Sequence, residues 1–306
     1  MSTVILAAGV GKRMYSKTPK ILHRILGKPI ILFVIEQAEE IKSDEIILVV
    51  GKNAKQVKKE IGTRVKYALQ PIPLGTGDAA KKGIETAKND RILILCGDVP
   101  LLEPTTLIRL IDYHQRKKAD LTLLTCHLER PFGYGRILRD RKKRIRAIIE
   151  QADASAQEQR IKEVNAGVYY GEKTVLLSYL NKIDTCNQQG EFYLTDVVKE
   201  MLKEKRKVVG LKIDSPQEIT GINSKLQLAE ARELVKRKWF AQLMARGVYI
   251  EDPATTVIDL SVEIGKFVHI RPHTLIEGDT KIRDGITIEP FTWIKNGKRV
   301  KYKKHV

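Results

Sequence analysis

The hydrophobic pattern of this chain changes period along its length, and each period predicts a different architecture. In the first half, apolar runs at Ser2–Leu6, Glu45–Val50, Val65–Leu69, Arg91–Cys96 and Leu121–Cys126 read as buried strands. Between them apolar positions recur at helical spacing over Pro29–Ile41, Ala54–Ile61, Gly77–Ala87 and about Pro104–Arg116. This alternation predicts an α/β domain with a mostly parallel sheet covered on both faces, whose ligands lie at the carboxyl ends of the strands. A long helical pattern from about Ser224 to Arg246, closed by Gly247, then leads into a third period.

After Gly247 an isoleucine stands at every sixth position: Ile258, Ile264, Ile270, Ile276, Ile282, Ile288 and Ile294. Four residues after each come Val262, Val268, Thr274, Thr280, Ile286, Thr292 and Lys298. This is the hexapeptide repeat of a left-handed β-helix, with one aliphatic side chain per face inward and a small or β-branched residue at the corner. About three hexapeptides close one triangular coil, so the repeat makes little more than two coils, and neighbouring subunits or the rest of the chain are expected to cover its open end. The predicted organisation is therefore a domain over residues 1–222, a linking helix over 223–247, and a short β-helix with a basic tail over 248–306.

Composition narrows the setting. A chain of 306 residues exceeds the roughly 250 to 300 at which single cores stop growing, and 42% hydrophobic residues suits a globular protein. No apolar run approaches the roughly 18 to 20 residues of a membrane span, and no signal-peptide pattern opens the chain, so a cytoplasmic location without membrane contact is expected. Cys96, Cys126 and Cys186 are widely spaced and form no CxxC pair, which indicates neither a disulfide framework nor a zinc site. The net charge of +18 is distributed along the chain and mixed with glutamate, as in Lys199–Lys205, so solvated helical faces are expected and no nucleic-acid partner.

The candidate chemistry begins where the first strand ends. Ser2–Leu6 runs into Ala7-Ala8-Gly9-Val10-Gly11-Lys12-Arg13-Met14 and then Pro19-Lys20, with no acidic residue between Met1 and Leu32. Small residues and two glycines let backbone N–H groups approach an anion, while Lys12, Arg13 and Lys20 supply positive charge. A nucleoside triphosphate is the first ligand this suggests. The loop lacks the Gly-Lys-Ser/Thr of a Walker sequence and the third glycine of a dinucleotide fingerprint.

Eight segments in order carry a resemblance that spans nearly the whole chain: Leu6–Lys20, Gln70–Ala79, Cys96–Leu101, Gly133–Ile137, Ile149–Ala154, Val164–Gly167, Glu191–Asp196 and Gly221–Asn223. Together they resemble the uridyltransferase half of the bacterial bifunctional N-acetylglucosamine-1-phosphate uridyltransferase/glucosamine-1-phosphate acetyltransferase family. The resemblance implies a Rossmann-like, GT-A-like nucleotidyltransferase domain, and a homotrimer assembled through the β-helix. It implies Mg²⁺-dependent uridylyl transfer from UTP to N-acetylglucosamine 1-phosphate. A sugar phosphate is already an anionic nucleophile at neutral pH, its second pKa being about 6, so no serine or histidine base is needed. Charge neutralisation and in-line alignment at the α-phosphorus are what must be supplied.

By the same resemblance Arg13 and Lys20 are catalytic, and Leu6, Ala7, Ala8, Gly9, Gly11, Gln70, Gly75 and Thr76 bind the nucleotide. Gly135, Glu150, Asn165, Tyr193 and Thr195 bind the sugar, and Asp98 and Asn223 hold the metal. Magnesium keeps several waters, so one carboxylate and one amide oxygen suffice. The residues alone leave other roles open: Asp98 also suits a turn in Gly-Asp-x-Pro, Asn223 a helix N-cap, Gly135 a hairpin turn and Glu150 a solvated strand end.

Three positions depart from the family pattern: Lys12 in place of threonine, Asp78 in place of a common histidine, and Cys96 in place of an aromatic or small residue. A pyrophosphorylase for another sugar 1-phosphate, using UTP or dTTP, therefore stays open, as does a non-catalytic sugar-nucleotide-binding regulator. His269 and His273 do not match the family's acetyl-transfer base, and no acetyl transfer is expected.

Overall fold

The computed structural model describes residues 1–300; Lys301, Tyr302, Lys303 and Lys304 of the basic tail lie outside the described residues, as does the side chain of Lys12. In chain order the elements of the first two hundred and forty-five residues are β1 (Ser2–Leu6), β2 (Arg24–Ile25), β3 (Lys28–Pro29), α1 (Ile30–Glu40), β4 (Glu45–Val50), α2 (Ala54–Ile61), β5 (Lys66–Leu69), α3 (Thr76–Thr86), β6 (Arg91–Cys96), α4 (Pro104–Lys117), β7 (Leu121–His127), β8 (Arg136–Arg139), β9 (Ile145–Ile149), β10 (Glu163–Glu172), α5 (Lys173–Leu180), α6 (Asp196–Lys203), β11 (Val208–Ile213) and α7 (Lys225–Ala245). The chain divides into two compact units, Met1–Leu22 with Ile31–Gly221, and His23–Ile30 with the chain from Ile222 onward.

The first unit is built on a nine-stranded sheet in the order β11-β7-β10-β6-β1-β4-β5, with the hairpin β8–β9 attached to β10. Its centre is parallel: β1 lies between β4 and β6, with Leu6 opposite both Val49 and Cys96. These strands are near-continuous aliphatic runs because both of their faces are covered. On one face Ile5, Leu48, Leu93 and Leu95 pack with Val34 and Ile35 of α1 and with Leu107 and Leu110 of α4. On the other Val4, Ile47, Val49 and Ile94 meet Ala80 and Ile84 of α3. There a Cβ at Gly83 would fall 2.3 Å from Val4 Cγ1, so helix and sheet approach more closely than any larger residue permits.

One central strand runs the other way. β10 pairs antiparallel with both β6 and β7, a reversal the alternating pattern does not reveal. The chain returns from β7 through the hairpin β8–β9 with no intervening α-helix, and a parallel return would need a crossover to the other end of the sheet. The reversed strand carries Asn165 into the centre of the sheet.

The second unit holds the hairpin β2–β3, helix α7 and a series of short strands. These are β12 (Tyr249–Ile250), β13 (Val257–Ile258), β14 (Glu263–Ile264), β15 (His269–Ile270), β16 (Leu275–Glu277), β17 (Lys281–Ile282), β18 (Thr287–Ile288), β19 (Trp293–Lys295) and β20 (Lys298–Arg299). They form parallel ladders β12-β15-β18, β13-β16-β19 and β14-β17, with β20 antiparallel to β19. Ile258 pairs with Ile276 and Ile276 with Ile294, so successive partners stand three hexapeptides apart. The isoleucines line a common core with Val262, Val268, Phe240 and Leu243. Buried Thr274 and Thr280 donate their hydroxyls to the carbonyls of Arg271 and Glu277, which satisfies the polar group at these two positions.

The hairpin of residues 23–30 is the departure from the contiguous domain boundaries read off the sequence. Leu26 accepts a hydrogen bond from Leu260 N at 3.0 Å, and Gly27, at φ +78, sits where a Cβ would lie 2.7 Å from the Asp259 carboxyl. This docking is non-local, so no local period announces it. Ser224, not Asn223, caps α7: its Oγ accepts from Gln227 N at 3.2 Å, while Asn223 N donates to Gln227 Oε1.

Candidate functional site

The loop after β1 is held from both sides. Ala7 N donates to Val49 O and Gly97 N to Leu6 O, each at 2.9 Å, so the ends of β1, β4 and β6 open together. A Cβ on Gly51 would lie 2.7 Å from Ala8 O, so the absence of one lets Ala8 settle against the end of β4. Gly9 faces open space, with nothing within 4 Å of a would-be Cβ. Gly11 has φ +67 and would place a Cβ 2.7 Å from Lys20 Cβ, so the loop folds back onto the base of that lysine. Arg13 is exposed and Met14 buried, which pins the short turn that bears the arginine.

Lys20 Nζ donates to Asp98 Oδ2 at 2.5 Å, and the two side chains are only 13% and 19% exposed. Asp98 follows β6 directly, so its carboxylate stands at the same edge of the sheet as the loop after β1. A cation and a hard oxygen anion are thus joined across 78 residues at the carboxyl ends of parallel strands, where α/β sheets bind their ligands.

The segment after β5 forms a second wall. Gln70 is buried, and its Nε2 donates to Gly75 O at 3.0 Å and to Asp78 Oδ2 at 2.8 Å. Both amide hydrogens are engaged, and Oε1 keeps the acceptor face. The substitution at Asp78 noted in the sequence therefore has a partner: it orients Gln70. Gly75 adopts φ +114, and a Cβ there would lie 2.5 Å from Phe192 O. The hydrogen bonds Gly77 N to Phe192 O, Phe192 N to Leu74 O and Leu194 N to Thr76 Oγ1 fasten this segment to residues 192–194.

A third group gathers around β10. Asn165 N donates to Gly135 O at 2.9 Å, and Asn165 Nδ2 to Tyr169 Oη at 2.6 Å. Glu150 accepts from Thr195 Oγ1 at 2.9 Å, and a Cβ on Gly135 would lie 3.4 Å from Glu150 Oε1. Burial raises the Glu150 carboxyl above its ordinary value, aided by Asp196 and Asp153 and opposed by the Thr195 hydrogen bond and the charge of Arg136. Arg136 is itself buried, held by Tyr134 O and by Gln151 Oε1 at 2.7 Å. The Tyr193 hydroxyl is buried with no hydrogen-bond partner among the described residues. Burial and the charge of Asp98 push the Cys96 thiol up to about 12, which leaves it a neutral donor to Gly167 O and not a nucleophile.

The structure thus brings Lys20 to Asp98, Gln70 to Gly75, Gly135 to Glu150 and Asn165, and Glu150 to Thr195. Asn223 belongs to the second unit, and its backbone N–H is taken by Gln227. Sequence reasoning missed Asp78 as a partner of Gln70, Tyr169 as a partner of Asn165, and the buried Arg136. Of these Asp78 and Arg136 carried a signal, Asp78 as a departure inside the Gln70–Ala79 segment and Arg136 inside the Gly133–Ile137 segment. Among the described residues no three His, Cys, Asp or Glu side chains gather to hold a metal, and no helix is long and apolar enough to cross a membrane.

Residues 3–166 match the MobA-like NTP transferase domain, so the loop after β1 and the lysine–carboxylate pair at the end of β6 belong to a nucleotidyltransferase. The bifunctional protein GlmU of Caldanaerobacter subterraneus subsp. tengcongensis is 42% identical over 289 residues, which cover 94% of this chain and 63% of that protein. That of Syntrophomonas wolfei is 41% identical over 300 residues, covering 97% and 66%. That of Acetivibrio thermocellus is 40% identical over 311 residues, covering 100% of this chain and 68% of the relative. The chain belongs to the GlmU family and spans slightly under two thirds of the length of relatives such as the first two. A crystal structure of UDP-glucose pyrophosphorylase complexed with UDP-glucose superposes with a TM-score of 0.64 over 78% of this chain and 98% of that one. At 17% identity that likeness shows a shared fold.

Proposed function

We propose that the chain transfers a uridylyl group from UTP to N-acetylglucosamine 1-phosphate, giving UDP-N-acetylglucosamine and pyrophosphate. The observation that carries this reading is the Lys20–Asp98 pair at 2.5 Å, set at the end of β6 beside the loop after β1. In the proposed reaction an oxygen of the sugar phosphate bonds to the α-phosphorus of UTP. The bond from that phosphorus to the bridging oxygen breaks, and pyrophosphate leaves with the electron pair. Lys20 and Arg13 balance negative charge as it shifts, and the backbone from Ala7 to Gly11 holds the triphosphate against rotation. No proton need be removed by the protein.

Asp98 fits a Mg²⁺ in kind, offering a carboxylate at the end of β6 with the remaining positions left to water and phosphate, while the amide oxygen expected of Asn223 belongs to the second unit. When bound, the ion supplies further neutralisation across the phosphates. For the base, Gln70 with Nε2 committed to Gly75 and Asp78 directs Oε1 as an acceptor for the uracil imide N–H. Leu6, Ala7, Ala8 and Thr76 complete that pocket. Glu150, Thr195, Gly135 and Asn165 bind the sugar, and the buried, unpartnered Tyr193 hydroxyl supports a sugar hydroxyl as its complement.

For the second unit we propose a left-handed β-helix that assembles the chain as a homotrimer in the cytoplasm. The parallel ladders at a spacing of three hexapeptides support the helix.

Pyrophosphate release from UTP with Mg²⁺ tests the activity, comparing N-acetylglucosamine 1-phosphate, glucose 1-phosphate and no sugar. Release dependent on the N-acetylated sugar is expected. A preference for glucose 1-phosphate would overturn the substrate, and UTP binding without release would point to a regulator.

A further inference from the structure

We infer that Tyr169 determines sugar specificity by fixing the orientation of the Asn165 amide, an inference that rests on the sugar pocket proposed above. On an unbroken strand, residues four apart share a face but stand roughly 13 Å from each other. Asn165 and Tyr169 are four apart on β10, yet Asn165 Nδ2 donates to Tyr169 Oη at 2.6 Å. A bulge brings them together. Asn165 pairs with Thr125 and Tyr169 with Leu123, so four steps along β10 face only two along β7.

Gly167 makes the bulge. It adopts φ +73, and a Cβ there would lie 2.7 Å from Cys96 Sγ, so conformation and space both demand glycine. Cys96 Sγ–H donates to Gly167 O at 3.5 Å from β6, and Gly167 N–H donates to Asn165 Oδ1 at 3.2 Å. The amide of Asn165 is therefore gripped at both ends, its oxygen by Gly167 and its nitrogen by Tyr169. Reversing it would set an NH₂ group against the Gly167 N–H.

A primary amide has two hydrogens and two acceptor positions, so one of each remains after these bonds. A donor beside an acceptor is the complement of an acetamido substituent, which presents one N–H and one C=O. An ammonium offers donors only. Tyr169 is 2% exposed, too deep to be reached by a sugar, and it acts as a positioning residue through Asn165.

Tyr169→Phe removes one oxygen and leaves the ring. The expected result is a roughly tenfold fall in the ratio of kcat/KM for N-acetylglucosamine 1-phosphate to that for glucose 1-phosphate, the cost of one unmatched amide hydrogen. The fall enters through the KM of the N-acetylated sugar, with kcat and the KM for UTP within twofold. In an Asn165→Ala background the same substitution is expected to change the ratio no further. An unchanged ratio in the folded variant, or an equal change with and without Asn165, would overturn the inference. Cys96→Ala, which removes the other support of the bulge, carries the same test should Tyr169→Phe not fold. A wild-type chain that prefers glucose 1-phosphate overturns the proposed substrate, while the inference is still decided by whether Tyr169→Phe moves the ratio. Inactivity toward every sugar 1-phosphate overturns both.

Discussion

Lys20→Ala removes an ammonium that is 13% exposed and lies 2.5 Å from Asp98. At an effective dielectric of about 20, two unit charges 4 Å apart interact by about 4 kcal/mol. If half to all of a unit charge shifts toward the lysine as the phosphoryl transfers, the transition state loses about 2–4 kcal/mol, or roughly 30- to 1000-fold in rate. The loss is expected in kcat, with a smaller effect on the KM for UTP, because the charge acts mainly on the transition state. Lys20→Arg keeps the charge and should recover part of the rate. Initial rates of pyrophosphate release at saturating UTP and sugar 1-phosphate measure this, with the unfolding midpoint taken on the same samples. Removing the partner of Asp98 is expected to lower that midpoint by a few degrees, at about 2–4 °C per kcal/mol for a unit of this size. A kcat within threefold of wild type, or a loss confined to the KM for UTP, would refute the reasoning.

The Asp98→Asn variant is expected to need at least tenfold more Mg²⁺ for half-maximal rate, since an amide oxygen is a weaker ligand than a carboxylate; identical metal titrations would sink that assignment. At Gly75, where φ is +114 and a Cβ would lie 2.5 Å from Phe192 O, substitution by alanine should raise the KM for UTP and destabilise the first unit by about 2 kcal/mol or more; native denaturant midpoints and KM would contradict it. Burial would raise the Glu45 carboxyl, but hydrogen bonds from the Lys66 and Ser2 side chains and Lys88 N, with the Lys66 charge, draw it from 4.5 down to about 2. A lowered carboxyl stabilises the fold above its unfolded value and loses that contribution as pH falls through its folded one. Glu45→Gln should therefore cost up to about 3 kcal/mol at pH 7 and progressively less from pH 5 toward 2; a pH-independent difference in urea midpoints would count against it.

What could be read from the sequence was whatever a short window encodes. The aliphatic runs of β1, β4 and β6 announce themselves because both faces of those strands are buried, and the six-residue spacing of isoleucines reappears as ladder partners three hexapeptides apart. The loop from Ala7 to Lys20 was legible because close approach to an anion needs small residues and positive charge in one stretch. The resemblance added roles at Asp98, Gln70, Glu150 and Asn165 that spacing could not assign.

Tertiary structure alone decided the contacts between distant stretches. It reversed β10 within the sheet, because no crossover helix follows β7, and it placed residues 23–30 in the second unit through Leu260 and Asp259. It also gave the departures their partners, Asp78 at Gln70 and Cys96 at Gly167, and set Tyr169 beneath Asn165 by way of a bulge. The physical reason is common to all of these. Hydrophobic period and turn chemistry are properties of neighbours along the chain, whereas hydrogen-bond pairing, strand direction and steric fit at a glycine belong to residues that meet only once the chain has folded.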